Sequence, residues 1–124
     1  MPWTKKDNTV TTGKNSEQLA ARYLTQQGLV LQTCNFHNRR GEIDLIMTEN
    51  DVWVFVEVKY RKNTHFGGAV SAVSVKKQQK IKQCAAFYLQ QSGLNEYNTP
   101  CRFDVIAMQG DINNPEITWL KNAF

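Results

Sequence analysis

Three charged residues set in apolar sequence carry the chemistry this chain could perform. Asp44 lies in GEIDLI, and Glu57 and Lys59 lie in FVEVKYR, thirteen and fifteen residues further on. A polar Thr48-Glu49-Asn50-Asp51 turn separates the two segments. Carboxylates within apolar strands are costly unless water, a metal or a cation satisfies them. Two carboxylates and an ammonium converging there suit a divalent-metal phosphodiesterase centre. Mg²⁺ (or Mn²⁺) takes oxygen ligands, keeps several waters and needs only one or two carboxylates beside a substrate phosphate. Asp44 and Glu57 are the candidate side-chain ligands, and the carbonyl between Glu57 and Lys59 is a third donor. Lys59 could position the attacking water or stabilise developing hydroxide.

The elements that must position these residues follow from periodicity. Leu19, Ala20, Tyr23 and Leu24 recur at helical spacing between Ser16 and Gln27, with Asn15 or Ser16 as cap and Gly28 as stop. Glu17 falls on the edge of that buried stripe, where it could reach the centre as an outer carboxylate or a ligand of a second metal. The bland alternative is a first-turn acid stabilised by the helix dipole. Leu29–Cys34 reads as a first strand and residues 35–40 as a polar loop. Glu42–Met47 and Val52–Tyr60 then form an antiparallel hairpin. Alternation puts Val54, Val56 and Val58 on one face of the third strand, and Phe55, Glu57 and Lys59 on the other. On the second strand, Glu42, Asp44 and Ile46 oppose Ile43 and Leu45. If the acidic faces coincide, Asp44, Glu57 and Lys59 meet at one end of the sheet.

Beyond a glycine-containing loop at 63–68, a helix opens near Ser74 and runs to about Gln91. Lys77 is in line with its apolar stripe of Ile81, Cys84 and Tyr88, while Lys76, Lys80 and Lys82 look more exposed. A long helix between strands makes a right-handed parallel crossover. Arg102–Met108 and Glu116–Leu120 supply the last strands, with Asp104 expected on a strand face or edge and without a catalytic role. The expected fold is α/β with an αβββαβ core, a mixed sheet flanked by helices. Residues 1–13 read as a flexible N-terminal arm and 14–124 as one domain.

Composition narrows the class. The 124 residues carry 15 Lys plus Arg against 11 Asp plus Glu, a formal net charge of +4. Positive charge brackets the acids: Arg39-Arg40 precede them, Arg61 follows, and Lys77 and Lys80 lie on the later helix. These five are the candidate contacts to a phosphate backbone. The three cysteines (Cys34, Cys84 and Cys101) are scattered, with no CxxC pair and no zinc spacing to His37 or His65. All five read as core fillers or loop residues. With no membrane-length apolar run and no signal-like N-terminus, the expected compartment is the cytoplasm, with no membrane partner.

The spacing of Asp44 from Glu57-Val58-Lys59 resembles the D…(D/E)xK signature of the restriction-endonuclease-like superfamily. GEIDLI, FVEVKYR, the helix carrying Glu17 and the later KKQQKI segment resemble the YraN family of small bacterial proteins, a family similar to archaeal Holliday-junction resolvases. That resemblance covers the chain from Gly13 to Phe124. It implies a restriction-endonuclease-like fold and a Mg-dependent endonuclease acting on DNA, on branched or damaged structures in repair or recombination. It carries Asp44 and Glu57 over as metal ligands, Lys59 as catalytic lysine and Glu17 as the helix-borne acid. Resolving a symmetric junction would ask for a homodimer. Two departures stand out: Ile43 replaces a proline before Asp44, and Ser16 precedes Glu17 where a glycine is common.

Two readings of other classes compete. A catalytically silent nucleic-acid-binding module predicts salt-sensitive binding independent of Mg²⁺ and of Asp44. An interaction subunit of a DNA-processing assembly predicts neither cleavage nor binding by the isolated chain. The chemically bland version of the motif is a solvated strand face on which Glu57, Lys59 and Asp44 merely pair.

Overall fold

Apolar alternation on the central strands buries both faces of one sheet, so a helix is needed on each side. The computed structural model describes residues 12–62 and 73–124, with side chains from Asn15 onward. Residues 1–11 of the expected arm, the loop at 63–68 and His65 lie outside the described residues. The order is α1 (Thr12–Gln26), β1 (Val30–Asn38), β2 (Gly41–Glu49), β3 (Val52–Arg61), α2 (Val75–Gln91), β4 (Cys101–Gln109) and β5 (Glu116–Leu120). The five strands run β1-β2-β3-β4-β5 across one sheet. All neighbours are antiparallel except β3 and β4, the pair separated in sequence by α2. The fold is therefore mixed α/β with the expected αβββαβ core and one further strand.

Each helix covers one face. Ala20, Ala21 and Leu24 of α1 pack on Leu45, Met47, Val54, Val56, Ile106 and Met108. Ile81, Cys84, Ala85 and Leu89 of α2 pack on Ile43, Ile46 and Phe55. Tyr88 adds a polar tie, its hydroxyl 2.8 Å from Thr33 Oγ1. Ser74 caps α2 as expected, accepting from the Lys77 N–H. Helix α1 closes on Gly28 at φ 102°, with Leu29 N donating to Leu24 O and Gly28 N to Thr25 O. That pairing is a Schellman ending, which a left-handed glycine makes without steric cost.

Two local expectations are corrected. Helix α1 begins at Thr12, ahead of the expected Asn15 or Ser16 cap, and Ser16 is buried within it at 3% exposure. Glu17 therefore lies beyond the first turn, and the helix-dipole account of it fails. Strand β1 runs to Asn38 and absorbs most of the expected polar loop, leaving only Arg39-Arg40 as the turn. It does so because Asn35 adopts φ 55°, a left-handed conformation that asparagine tolerates better than most residues. Alternation breaks there: Cys34 and its partner Leu45 pack on the α1 side, while Phe36 and its partner Ile43 pack on the α2 side.

Asp104 lies on a strand face of β4, as expected, and outside the acidic cleft. It is fully buried on an interior strand. Arg102 Nε donates to both carboxylate oxygens at 3.1 and 3.2 Å. Trp119 Nε1 and the Asn122 N–H each donate at 2.9 Å. Arg102 also reaches Glu49 at 2.7 Å, tying β4 to the end of β2 across β3. A buried carboxylate met by this many donors is a structural one.

Candidate active site

Register decides whether the acidic faces coincide. The β2–β3 ladder pairs Ile46 with Phe55 and Leu45 with Val56, where it stops. The next rung would join Asp44 to Glu57, so both carboxylates emerge on one face where the two strands part. Beyond that point β2 continues with β1 to Gly41, and β3 continues with β4 to Arg61. The Val58 N–H, turned toward β2, meets Asp44 Oδ2 at 2.8 Å in place of a backbone carbonyl. This bond fixes the carboxylate at the fork of the sheet.

Glu57 is 4% exposed and takes two ammonium partners. Lys77 Nζ from α2 lies 2.8 Å from Glu57 Oε1, and Lys59 Nζ lies 3.4 Å from the same oxygen. The two lysines differ in proton affinity. Burial is the largest single influence and acts against a charged Lys77, but Glu57, Lys59 and Asp44 together outweigh it and raise its pKa. Burial, and next the neighbouring Lys77, lower the pKa of Lys59. Glu57 thus has a committed cation in Lys77, and Lys59 is the lysine readier to exchange a proton.

Glu17, Asp44, Glu57, Lys59, Arg61 and Lys77 line one open cleft of about 350 Å³. Glu42 shares it and is the acid to which the sequence reading gave no role, although alternation had placed it beside Asp44. The Asp44 carboxyl is pushed up to about 8, first by burial, then by Glu57, with smaller contributions from Glu17 and Glu42. The Val58 hydrogen bond opposes the rise without cancelling it.

Four carboxylates, Glu17, Glu42, Asp44 and Glu57, share the cleft with Lys59, Arg61 and Lys77, and carboxylate oxygens are the hard donors that suit Mg²⁺ or Mn²⁺. Among the described residues no group of three or more His, Cys, Asp or Glu stands in a metal-holding arrangement. Two of these carboxylates, Asp44 and Glu57, with a backbone carbonyl and water, could hold such a cation.

Residues 16–108 match the family described as Uncharacterised protein family UPF0102. The chain belongs to the UPF0102 family. A UPF0102 protein of Colwellia psychrerythraea is 57% identical over 129 aligned positions, covering 100% of both chains. UPF0102 proteins of Yersinia pseudotuberculosis and Yersinia pestis are 48% identical over 113 positions, covering 91% of this chain and 93% of theirs.

Of the residues singled out in the sequence, this UPF0102 member brings Glu17, Asp44, Glu57, Lys59, Arg61 and Lys77 together. Arg39 and Arg40 stand apart, at the β1–β2 tip, in a cleft they share with Asn38 and Phe87. Lys80 lines a cleft between the two, with Gly41, Glu42 and Lys77. No helix among the described residues is long and apolar enough to cross a membrane.

Proposed function

We propose that this protein is a metal-dependent endonuclease that hydrolyses DNA phosphodiester bonds. The observation that carries the reading is the emergence of Asp44 and Glu57 on one face at the fork between β2 and β3, with Lys59 and Lys77 on Glu57. The likeness of Asp44 and Glu57-Val58-Lys59 to the D…(D/E)xK signature of restriction-endonuclease-like nucleases supports the same reading.

Asp44 and Glu57 would hold Mg²⁺ or Mn²⁺, with the Val58 carbonyl as a further donor. When bound, such an ion supplies charge neutralisation at the phosphate and a more acidic water. The Val58 N–H keeps Asp44 Oδ2 in place, so this ligand is oriented before substrate arrives. Lys59, with its lowered pKa, hydrogen-bonds the attacking water and holds or releases a proton at its Nζ. Lys77 keeps its proton and offsets the charge of Glu57 until a phosphate competes for it. Glu17 acts from α1 as an outer acid, and Arg61 meets the phosphate backbone at the mouth of the cleft.

A cleavage assay on linear, flapped and four-way DNA with Mg²⁺ and Mn²⁺, run with wild type and Glu57→Ala, tests this. Products from wild type alone are expected, and the favoured substrate identifies the structure recognised. Equal cleavage by Glu57→Ala would overturn the site assignment. The rival reading, a silent binding module, is favoured by the Lys77–Glu57 ion pair, which already neutralises one proposed ligand. Under that reading both proteins retard DNA and cut none of it.

A further inference from the structure

Phe87 is an apolar ring in a polar place. It is 44% exposed on α2 and shares a cleft of about 420 Å³ with Asn38, Arg39 and Arg40. A single exposed apolar residue is ordinary on a protein surface. The setting of this one is not, because two arginines frame the ring and both come from a braced turn. Asn38 Oδ1 accepts the Arg40 N–H at 2.8 Å, which tightens the turn. The Cys84 thiol donates to the Gly41 carbonyl at 3.6 Å, which docks it on α2. A Cβ added at Gly41 would lie 3.5 Å from Lys80 Cβ, so backbone and helix approach closely here.

The spacing along α2 connects this corner to the acidic cleft. Lys77, Lys80, Cys84 and Phe87 follow one another at intervals of three, four and three residues, one stripe of a helix. The cleft holding Lys76, Lys77 and Lys80 lies between, and it shares Glu42 and Lys77 with the acidic cleft. Five cationic side chains (Arg39, Arg40, Lys76, Lys77 and Lys80) thus follow one side of α2 toward the acidic cleft, where Lys77 pairs with Glu57. Ten residues of helix separate Lys77 from Phe87, about 15 Å at the usual rise.

A polyanion suits the cations, and the ring says which kind. In a duplex the base faces are stacked on one another and closed to a side chain. In an unpaired strand they are open, and an aromatic ring in a basic groove holds them with little regard to sequence. We infer that Phe87, framed by Arg39 and Arg40, is a stacking platform for an unpaired base, and that the strand bearing it runs along α2 to the acidic cleft. The substrate class is then nucleic acid with a single-stranded segment beside the scissile phosphate. The location of that phosphate rests on the nuclease reading; the platform does not.

Fluorescence anisotropy in EDTA tests the platform without cleavage. The full chain, Phe87→Ala, Phe87→Leu and Phe87→Trp are titrated into a labelled thymidine 20-mer and a blunt duplex of equal length. Thermal melts confirm that each variant is folded. Single-strand affinity should fall roughly five- to hundredfold in Phe87→Ala. Phe87→Leu should lose nearly as much, since it keeps the apolar bulk but not the ring face, and Phe87→Trp should restore binding. Duplex affinity should change less than about twofold.

Unchanged single-strand affinity in Phe87→Ala, or equal losses on both DNAs, would overturn the platform. So would a wild type that binds neither DNA, the result expected if a protein partner covers this corner. Single-strand binding that depends on Phe87, without cleavage in Mg²⁺, would leave the platform standing and remove only the nuclease reading.

Discussion

Asp44 and Asp104 are two acids in one small sheet with opposite treatments. Asp104 is met by Arg102, Trp119 and a backbone amide, all supplied by the protein. Asp44 has the Val58 N–H but is buried and lies near Glu57, Glu17 and Glu42, so burial first and these carboxylates next raise its pKa from 3.8 to about 8. A raised carboxyl pKa means that the folded protein holds this proton more tightly than the unfolded chain does. Its contribution to stability is complete below pH 4, the unfolded value, and is lost as pH rises toward 8. Asp44→Asn keeps an acceptor for Val58 and removes the charge. In EDTA its stability advantage over wild type should be absent below about pH 4, grow through neutrality and level off above about 8. The ceiling is about 6 kcal/mol at about 1.36 kcal/mol per pKa unit. Urea denaturation at several pH values measures it, and a constant difference across that range would exclude a strained Asp44. The same asymmetry explains what could be read in advance. Glu57 and Lys59 sort to one face by alternation alone, whereas two of the donors around Asp104 come from residues 119 and 122 and leave no local signature beside it.

Among the elements, the β2–β3 pair was the most legible, because its apolar faces alternate without interruption from Leu45 to Met47 and from Val54 to Val56. Strand β1 was half legible. Its second half is polar and ends in paired arginines, a composition that signals a loop. The structure keeps it in the sheet through Asn35, whose left-handed turn exchanges the faces of the residues around it. That device makes a prediction. Asn35→Val places a β-branched side chain at φ 55° and should cost about 1–2 kcal/mol, while Asn35→Gly should be close to neutral. Chemical denaturation of the two variants separates backbone strain from simple loss of an amide, which would affect both alike. Asn35 lies beside Cys34 and Phe36, paired with Leu45 and Ile43 on either side of Asp44. The valine variant should therefore also weaken metal-dependent cleavage.

For the whole molecule, the acidic cleft and the Asp104 network lie back to back across the sheet. Glu57 pairs with Val105 and Val56 with Asp104, one rung apart on strands β3 and β4. The network ties β2, β4 and β5 together through Glu49, Arg102, Asp104 and Trp119, on the opposite face from Glu57. Asp104→Ala leaves Arg102 and Trp119 facing an empty buried position and should destabilise the fold by about 3–5 kcal/mol. A shift of less than about 1 kcal/mol in urea would show that the network is dispensable. The charged path along α2 depends on a separate tie, the docking of the β1–β2 tip on Cys84, so its two ends are held by different interactions.

The Val58 amide gains a further meaning from this arrangement. Its hydrogen is held by a carboxylate whose charge varies near neutral pH, unlike the ladder amides around it, which rest on carbonyls that do not titrate. A bond to an ionised acceptor is about twice as strong as one to a neutral group. The nuclear magnetic resonance signal of this one backbone proton is thus a gauge of the electrical state of the cleft, and it can be read in the resting protein without substrate or turnover.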